Sequence, residues 1–169
     1  GVQTCALPIS AVVDAREKLR AAKPEDKMTV FAVLMRLREI CCDPRLVADN
    51  WTGSSAKLDA CLELVTEAVA GGHRILLFSQ FTSMLELLAK RLDEAGVSHF
   101  TLQGSTPKPV RAEQVRRFNQ GEADVFLISL RAGGTGLNLT AADIVIHYDP
   151  WWNLAAQNQE IGRASCRER

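Results

Sequence analysis

Residues 124–149 read DVFLISLRAGGTGLNLTAADIVIHYD, and this stretch decides the fold. It holds two short, almost wholly apolar runs, residues 124–128 and 143–146, on either side of a glycine-rich segment. Neither run alternates apolar with polar residues, which is typical of a strand that helices cover on both faces. The stretch therefore predicts two buried parallel strands.

The same alternation of strand and helix extends upstream. Apolar runs at residues 74–78 and 97–102 predict two more strands, and helical patterns of 10–15 residues separate them. Such spacing favours βαβ units, so we expect an α/β fold with four or more parallel strands in a three-layer sandwich. The predicted helices cover residues 56–70, 82–95 and 106–120, with a last helix beginning near Asn153. Glycines follow the first three and are predicted to end them: Gly71-Gly72, Gly96 and Gly121.

The N-terminal part has a different pattern. Residues 11–22 and 28–42 read as helices, interrupted at Pro24 and ended at Asp43-Pro44, because a residue that precedes proline avoids the helical region. A polar loop follows at residues 49–55. We therefore expect a helical and linker segment over residues 1–54, an α/β lobe over residues 55–163 and a short tail over residues 164–169.

Composition excludes several classes of protein. The chain has 169 residues, 20 lysines and arginines against 20 aspartates and glutamates, and 47% hydrophobic residues, as in an ordinary globular domain. It has no basic block that would bind nucleic acid by bulk charge, and its apolar runs are too short to span a membrane. We expect a cytoplasmic protein with no membrane partner.

The cysteines and histidines argue against disulfides and metal. Five cysteines, two of them adjacent, do not suit a disulfide framework, and the chain has no C-x-x-C pair. Its three histidines are scattered, so we predict no metal ligands.

Polar residues gather where the predicted strands end. In open α/β sheets, ligands bind at the carboxyl ends of the strands, although polar loop ends are also common without any ligand. The residues that follow the four strands are Ser79-Gln80, residues 103–106, residues 129–138 and residues 147–153.

The glycine run at residues 131–138 is neither of the common nucleotide-binding motifs. The chain has no G-x-x-x-x-G-K-[ST] and no Gly-Lys pair, and the run lacks G-x-G-x-x-G spacing, which disfavours a Rossmann-type enzyme. Its glycines would let backbone N–H groups approach a phosphate or a partner loop, but a purely structural turn stays possible on pattern alone.

Three other features admit two interpretations. One of Trp151 and Trp152 could stack on a base, or both could pack in the core. His147, at a strand end, fits a packed core histidine better than a catalytic base. Asp93-Glu94 imitates the acidic pair of many ATPases, but the leucines before it have helical spacing, which predicts a solvated helix end.

Four ordered motifs carry a resemblance: LLFSQF at 76–81, GSTP at 104–107, ISLRAGGTGLNL at 128–139 and YDPWWN at 148–153. In this order and spacing they resemble the second RecA-like lobe of Swi/Snf-type ATPases, which are superfamily-two DNA translocases. The resemblance covers roughly residues 28–163, and it implies a RecA-like fold.

The resemblance implies roles for individual residues. Arg131 and Trp152 match residues that contact the tracked DNA strand, and Arg163 matches a catalytic arginine that reaches nucleotide phosphates held by the other lobe. Gly134, Gly136 and Asn138 match the loop that couples the nucleotide cleft to DNA. The remaining matches lie along the DNA backbone: Ser79, Gln80, Gly104, Ser105 and Thr106.

The resemblance also implies what must come from elsewhere. The P-loop lysine and the magnesium-binding acids belong to an N-terminal lobe, so ATP and Mg²⁺ are expected only in a two-lobe enzyme and this chain alone is predicted inactive. Double-stranded DNA and that lobe are the expected partners, with ATP the only small-molecule substrate, in the nucleoid of a bacterium or the nucleus of a eukaryote.

The ends of the chain depart from the pattern. Cys166 stands where the family has a second arginine, and the first ten residues match nothing in it, so both ends are expected to be non-native or truncated.

The alternative to a motor lobe is a stand-alone α/β module that binds nucleic acid or protein without nucleotide chemistry.

Overall fold

The structure is a computed structural model that describes residues 6–21, 27–48, 51–133 and 137–149. It divides the chain into two compact units, residues 1–59 and 60–169. The assignment of residues 1–54 to a separate helical segment stays a prediction.

The first unit is built from helices. Helix α1 spans Ala6–Ala21 and contacts α2, which spans Lys27–Cys42. Helix α1 begins five residues before its predicted start, because Pro8 falls in its first turn, where the missing N–H of proline breaks no helical hydrogen bond. A 3-10 helix, Pro44–Leu46, follows α2.

Asp43 organises the chain after α2. Its side chain is fully buried, and Arg45 donates to its two carboxylate oxygens through Nε at 2.8 Å and Nη2 at 2.7 Å. The Arg45 backbone N–H also donates to Asp43 Oδ1, at 2.9 Å. Burial alone would raise the pKa of Asp43, but the hydrogen bonds and charge of Arg45, with a hydrogen bond to Ser55, lower it below its ordinary value.

Helices and strands alternate through the rest of the described chain. Helix α3 begins at residue 56, where the buried Ser55 hydroxyl accepts from the Leu58 N–H at 3.5 Å, as an N-terminal cap does. The elements in order are α3 Ala56–Ala70, β1 Ile75–Ser79, α4 Thr82–Glu94, β2 His99–Leu102, α5 Lys108–Asn119, β3 Val125–Ser129, α6 Leu130–Gly133 and β4 Ile144–His147.

The four strands form one parallel sheet in the order β2-β3-β1-β4. This confirms the predicted α/β fold. The connection from β1 to β2 runs across the sheet in one direction, and the connections from β2 to β3 and from β3 to β4 run in the other. Since such crossovers are right-handed, α4 must lie on one face of the sheet, and α5 and the segment after β3 must lie on the other.

The core follows this division. On the α5 side, Phe118 packs with Phe126 of β3, with ring centroids 5.3 Å apart, in a cluster that also includes Leu137 and Leu139 from the segment before β4. Helix α4 is not part of that cluster, and it buries four side chains of its own: Met84, Leu85, Leu88 and Leu92. Full burial of each such side chain contributes about 1.5–3 kcal/mol.

Four boundaries differ from the prediction in ways that affect the site, and one of them is the end of β4, which lies at His147, one residue later than predicted. Strands β1 and β3 end one residue later than predicted, because Ser79 and Ser129 pair with each other in the sheet and are buried. Helix α5 begins at Lys108, two residues after its predicted start at residue 106. Asp93 and Glu94 lie exposed in the last turn of α4, as predicted.

Candidate functional site: the carboxyl edge of the sheet

The carboxyl ends of the four strands meet at one edge. Ser79 of β1 is paired with Ser129 of β3, Leu102 of β2 with Ile128, and His147 of β4 with Phe78. The polar segments that follow the four strands therefore begin side by side. We call this set of segments the carboxyl edge: Gln80, residues 103–106, residues 130–133 and residues 148–149.

Asp149 holds the ends of β1 and β4 together. Its carboxylate is buried, with 1% of the residue exposed, and it accepts a hydrogen bond from the Ser79 hydroxyl at 2.5 Å. It also accepts from the Gln80 backbone N–H, at 3.1 Å to Oδ2. Sequence reasoning missed Asp149 as a site residue, although it lies inside one of the motifs that carry the resemblance.

This contact changes the interpretation of Ser79. The prediction that places Ser79 in the loop after β1 is wrong, because Ser79 is the last residue of the strand and is fully buried. Its hydroxyl donates to Asp149 and accepts from the Phe81 N–H at 3.2 Å. The side chain would have to leave these hydrogen bonds to reach a ligand, so a DNA contact by Ser79 stays an untested prediction.

Gln80 is the half-buried residue that follows the strand. Its side-chain Nε2 is buried and has no hydrogen-bond partner among residues 6–21, 27–48, 51–133 and 137–149. An amide N–H without a partner favours binding a polar group, because leaving a buried donor unpaired costs about 1–3 kcal/mol.

The loop after β2 is closed by its own hydrogen bonds. The Thr106 hydroxyl accepts from the Gln103 N–H at 3.0 Å, and the Thr106 N–H donates to the Gln103 carbonyl at 3.1 Å. Gly104 and Ser105 are exposed between them, and a Cβ built on Gly104 meets nothing within 4 Å. The loop is thus rigid at its base and open at its tip.

The segment after β3 begins as a short helix. Residues Leu130–Gly133 form a short helix, α6, and the Ser129 hydroxyl accepts from the Ala132 N–H at 3.3 Å in its first turn. Arg131 therefore lies in this short helix, and the residue that caps the helix, Ser129, is the buried last residue of β3. Gly134, Gly136, Trp152, Arg163 and the side chain of Arg131 lie outside the described part of the chain.

The backbone of Asn138 is held in place, and its side chain is exposed. Leu137 and Leu139 on either side of it are buried in the core cluster. The Asn138 carbonyl accepts a hydrogen bond from Asn119 Nδ2 at 2.9 Å. Sequence reasoning missed Asn119, because its partners lie 19 and 22 residues further along the chain.

His147 is half-buried at the end of β4. Its ring stacks on Phe78, with centroids 5.3 Å apart and planes 17° apart. Burial lowers the pKa of His147, and the negative charge of Asp149 offsets part of that effect. The preference for a packed core histidine over a catalytic base stays a prediction, because His147 is only half-buried.

Metal-binding clusters, phosphate-binding motifs and membrane-spanning helices are three features that would each indicate a function. No group of three or more His, Cys, Asp or Glu residues in the described ranges could hold a metal ion. The sequence also has no P-loop to cradle phosphates. No described helix is long and apolar enough to cross a membrane.

Comparison with known proteins decides the family. The model of the helicase conserved C-terminal domain matches residues 56–167. The chain belongs to this family. This helicase C-terminal lobe is 34% identical over 149 residues to an uncharacterized ATP-dependent helicase of Mycoplasma pneumoniae, covering 88% of the chain and 14% of that relative. It is 46% identical over 121 residues to the chromatin-remodeling ATPase INO80 of Aspergillus oryzae, covering 71% of the chain and 8% of that relative.

Solved structures give the subfamily. The SWI2/SNF2 ATPase C-terminal domain of Sulfolobus solfataricus superposes with a TM-score of 0.77 at 27% identity, over 90% of this chain and 69% of that one. The SWI2/SNF2 ATPase core of the same organism, solved in complex with double-stranded DNA, superposes at 0.78 and 25% identity, over 92% of this chain and 34% of that one. The lobe is therefore of the Swi/Snf type, as its motifs predicted, and it spans about a seventh of the bacterial relative's length.

Proposed function

We propose that this chain is the C-terminal motor lobe of a DNA-dependent ATPase that moves along double-stranded DNA. The observation that carries the proposal is the gathering of the motif segments at the carboxyl edge of one parallel sheet. The likeness to a SWI2/SNF2 core solved with double-stranded DNA supports DNA as the ligand of that edge.

The DNA contacts are few and local in this proposal. Gln80, whose side-chain Nε2 has no partner among the described residues, and the exposed tip of Gly104 and Ser105 approach the phosphate backbone. Backbone N–H groups and short polar side chains are common phosphate ligands. Arg131 and Trp152 contact the tracked strand, and Thr106 supports the tip through its bonds to Gln103.

The nucleotide is held by another lobe. The chain has no Gly-Lys pair and no P-loop, so it supplies no cradle for a triphosphate. ATP and Mg²⁺ therefore bind an N-terminal RecA-like lobe, to which this chain contributes Arg163. A guanidinium placed against the γ-phosphate stabilises developing negative charge and increases the rate by about 10³–10⁵-fold in related phosphoryl-transfer enzymes.

Reconstitution tests the proposal. The chain is mixed with a separately produced N-terminal lobe, and phosphate release is measured with and without duplex DNA. We expect no DNA-stimulated release from the chain alone and its recovery in the mixture. If the mixture shows no DNA-stimulated phosphate release while the chain still binds DNA, the result would support the alternative of a binding module without nucleotide chemistry.

Two sets of variants separate the roles. Arg163→Ala should lower turnover and leave DNA affinity nearly unchanged. Trp152→Ala and Arg131→Ala should weaken DNA binding, by about 1–3 kcal/mol where a base stack is lost. Lys90 is exposed near the C-terminal end of α4, and Lys90→Ala is the matched control for the loss of a positive charge.

A further inference from the structure

Asn119, the last residue of α5, holds the segment around Asn138 with both ends of its carboxamide. Its Nδ2 donates to the Asn138 carbonyl at 2.9 Å, and its Oδ1 accepts from the Ala141 N–H at 3.3 Å. One partner needs a donor and the other an acceptor. A carboxamide supplies both, whereas a carboxylate supplies only acceptors and alanine supplies neither.

The contacts around Asn138 leave its side chain little freedom of position. Leu137 and Leu139 are buried in the cluster that contains Phe118, the neighbour of Asn119. With the Asn138 carbonyl bound to Asn119, the backbone is held at three successive residues while the Asn138 side chain remains exposed. An exposed polar side chain on a backbone fixed in this way is preorganised for a ligand or a partner surface.

Helix α5 connects this anchor to the carboxyl edge. It begins at Lys108, two residues after Thr106, and ends at Asn119. Its 12 residues span about 18 Å at 1.5 Å per residue. One rigid element therefore carries the loop at residues 103–106 at its start and the anchor of Asn138 at its end.

We propose that Asn119 is a positioning residue that sets the orientation of Asn138 relative to the loop at residues 103–106, which contacts DNA in the proposed function. It acts through Asn138 and touches neither DNA nor nucleotide. This inference rests on the proposed function, because Asn138 matters only if its segment couples DNA binding to ATP hydrolysis.

A purely structural role makes a different prediction. If Asn119 only stabilised the fold, its replacement would lower the folded fraction, and the loss of activity would be independent of Asn138. If it acts through Asn138, removing either residue should have the same effect, and removing both should add little.

The experiment is a double-mutant cycle in the reconstituted mixture of this chain with an N-terminal lobe. Asn119→Asp keeps an acceptor for Ala141 but sets a carboxylate oxygen against the Asn138 carbonyl, and Asn138→Ala removes the exposed amide. Gln120→Ala, which alters the exposed neighbour of Asn119, is the control. For each variant, kcat of DNA-stimulated phosphate release, the DNA concentration for half stimulation and the thermal midpoint of the chain are measured.

We expect each single variant to lower kcat roughly three- to tenfold, the range that one lost hydrogen bond gives. The kcat of the double variant should be no more than about twofold below that of the slower single variant. The DNA concentration for half stimulation should stay within about twofold of the parent value. Additive effects, or a loss that follows the folded fraction, would overturn the inference while the parent mixture remained active. A parent mixture without DNA-stimulated release would overturn the proposed function and this inference with it. If Asn119→Asp does not fold, Asn119→Ala takes its place in the cycle.

Discussion

The Ser79 hydroxyl donates a hydrogen bond of 2.5 Å to the buried carboxylate of Asp149, 70 residues further along the chain. The contact joins the carboxyl ends of β1 and β4, and the Gln80 N–H adds a second donor to the same carboxylate. A buried carboxylate is tolerated only where donors replace its lost water. Ser79 and Asp149 together therefore set where the segments after these two strands begin.

The first prediction tests this contact through stability. Ser79→Ala should lower the free energy of unfolding by about 1–3 kcal/mol, because it leaves the buried carboxylate short of a donor. Ser83→Ala removes an exposed hydroxyl on α4 and should change it by less than about 0.5 kcal/mol. Urea unfolding followed by circular dichroism measures both, and equal stability of the two variants would show that the hydroxyl contributes nothing.

The second prediction concerns the glycine that ends α5. Gly121 has a φ of +87°, and a Cβ there would collide with the Arg74 guanidinium. Gly72, after α3, has a similar φ of +81° but open space where a Cβ would lie. Gly72→Ala should therefore cost about 1–2 kcal/mol from the left-handed backbone alone.

Gly121→Ala should cost about as much as Gly72→Ala, because the atoms that a Cβ would meet are the far end of the flexible Arg74 side chain, which can move away. Chemical unfolding of the two variants compares a strained backbone with and without a steric clash. A clearly larger loss of stability for Gly121→Ala would show that the Arg74 side chain is held in place over Gly121.

Much of the fold followed from local signals. Continuous apolar runs predicted four parallel strands, and the three predicted helix-ending glycines all adopt positive φ, at Gly72, Gly96 and Gly121. The strand ends were missed at Ser79 and Ser129, because serine has no local preference that distinguishes a paired strand residue from a loop residue. Their pairing with each other across the sheet decides it.

The candidate site was predicted in its location but not in its contacts. Parallel topology alone brings Gln80 and the loop at residues 103–106 to one edge, so local patterns sufficed to find them. Asp149 and Asn119 act on residues 70 and 19 positions away. Nothing in a single sequence states which distant donor meets which acceptor, so these supporting residues required the structure.

The third prediction is a dependence of stability on pH. Burial lowers the pKa of His147 below its ordinary value of about 6.5, so the unfolded chain binds a proton more readily than the folded one. The contribution of His147 is therefore fully present above about pH 6.5 and is lost as pH falls through the lower pKa of the folded state.

Replacing the imidazole should remove that dependence. His147→Phe keeps an aromatic ring beside Phe78 and cannot be protonated. The free energy of unfolding, measured between pH 8 and pH 5, should fall less steeply for this variant than for the parent. Parallel curves would show that His147 titrates alike in both states.

The last prediction concerns Asp43 and Arg45 in the first unit. Arg45→Met removes two donors from a fully buried carboxylate and should cost about 1.5–3 kcal/mol, the usual contribution of hydrogen bonds to a charged group. Arg36→Met, which removes an exposed arginine from α2, should cost less than about 1 kcal/mol. Because the pKa of Asp43 is lowered in the folded state, its contribution is present above about pH 4 and is lost as pH falls through that lower pKa. The difference between the parent and Arg45→Met, measured by urea unfolding from pH 7 to pH 3, should therefore shrink at the acid end. A difference that stays constant over this range would mean that Arg45 stabilises the unit by packing and not through the charge of Asp43.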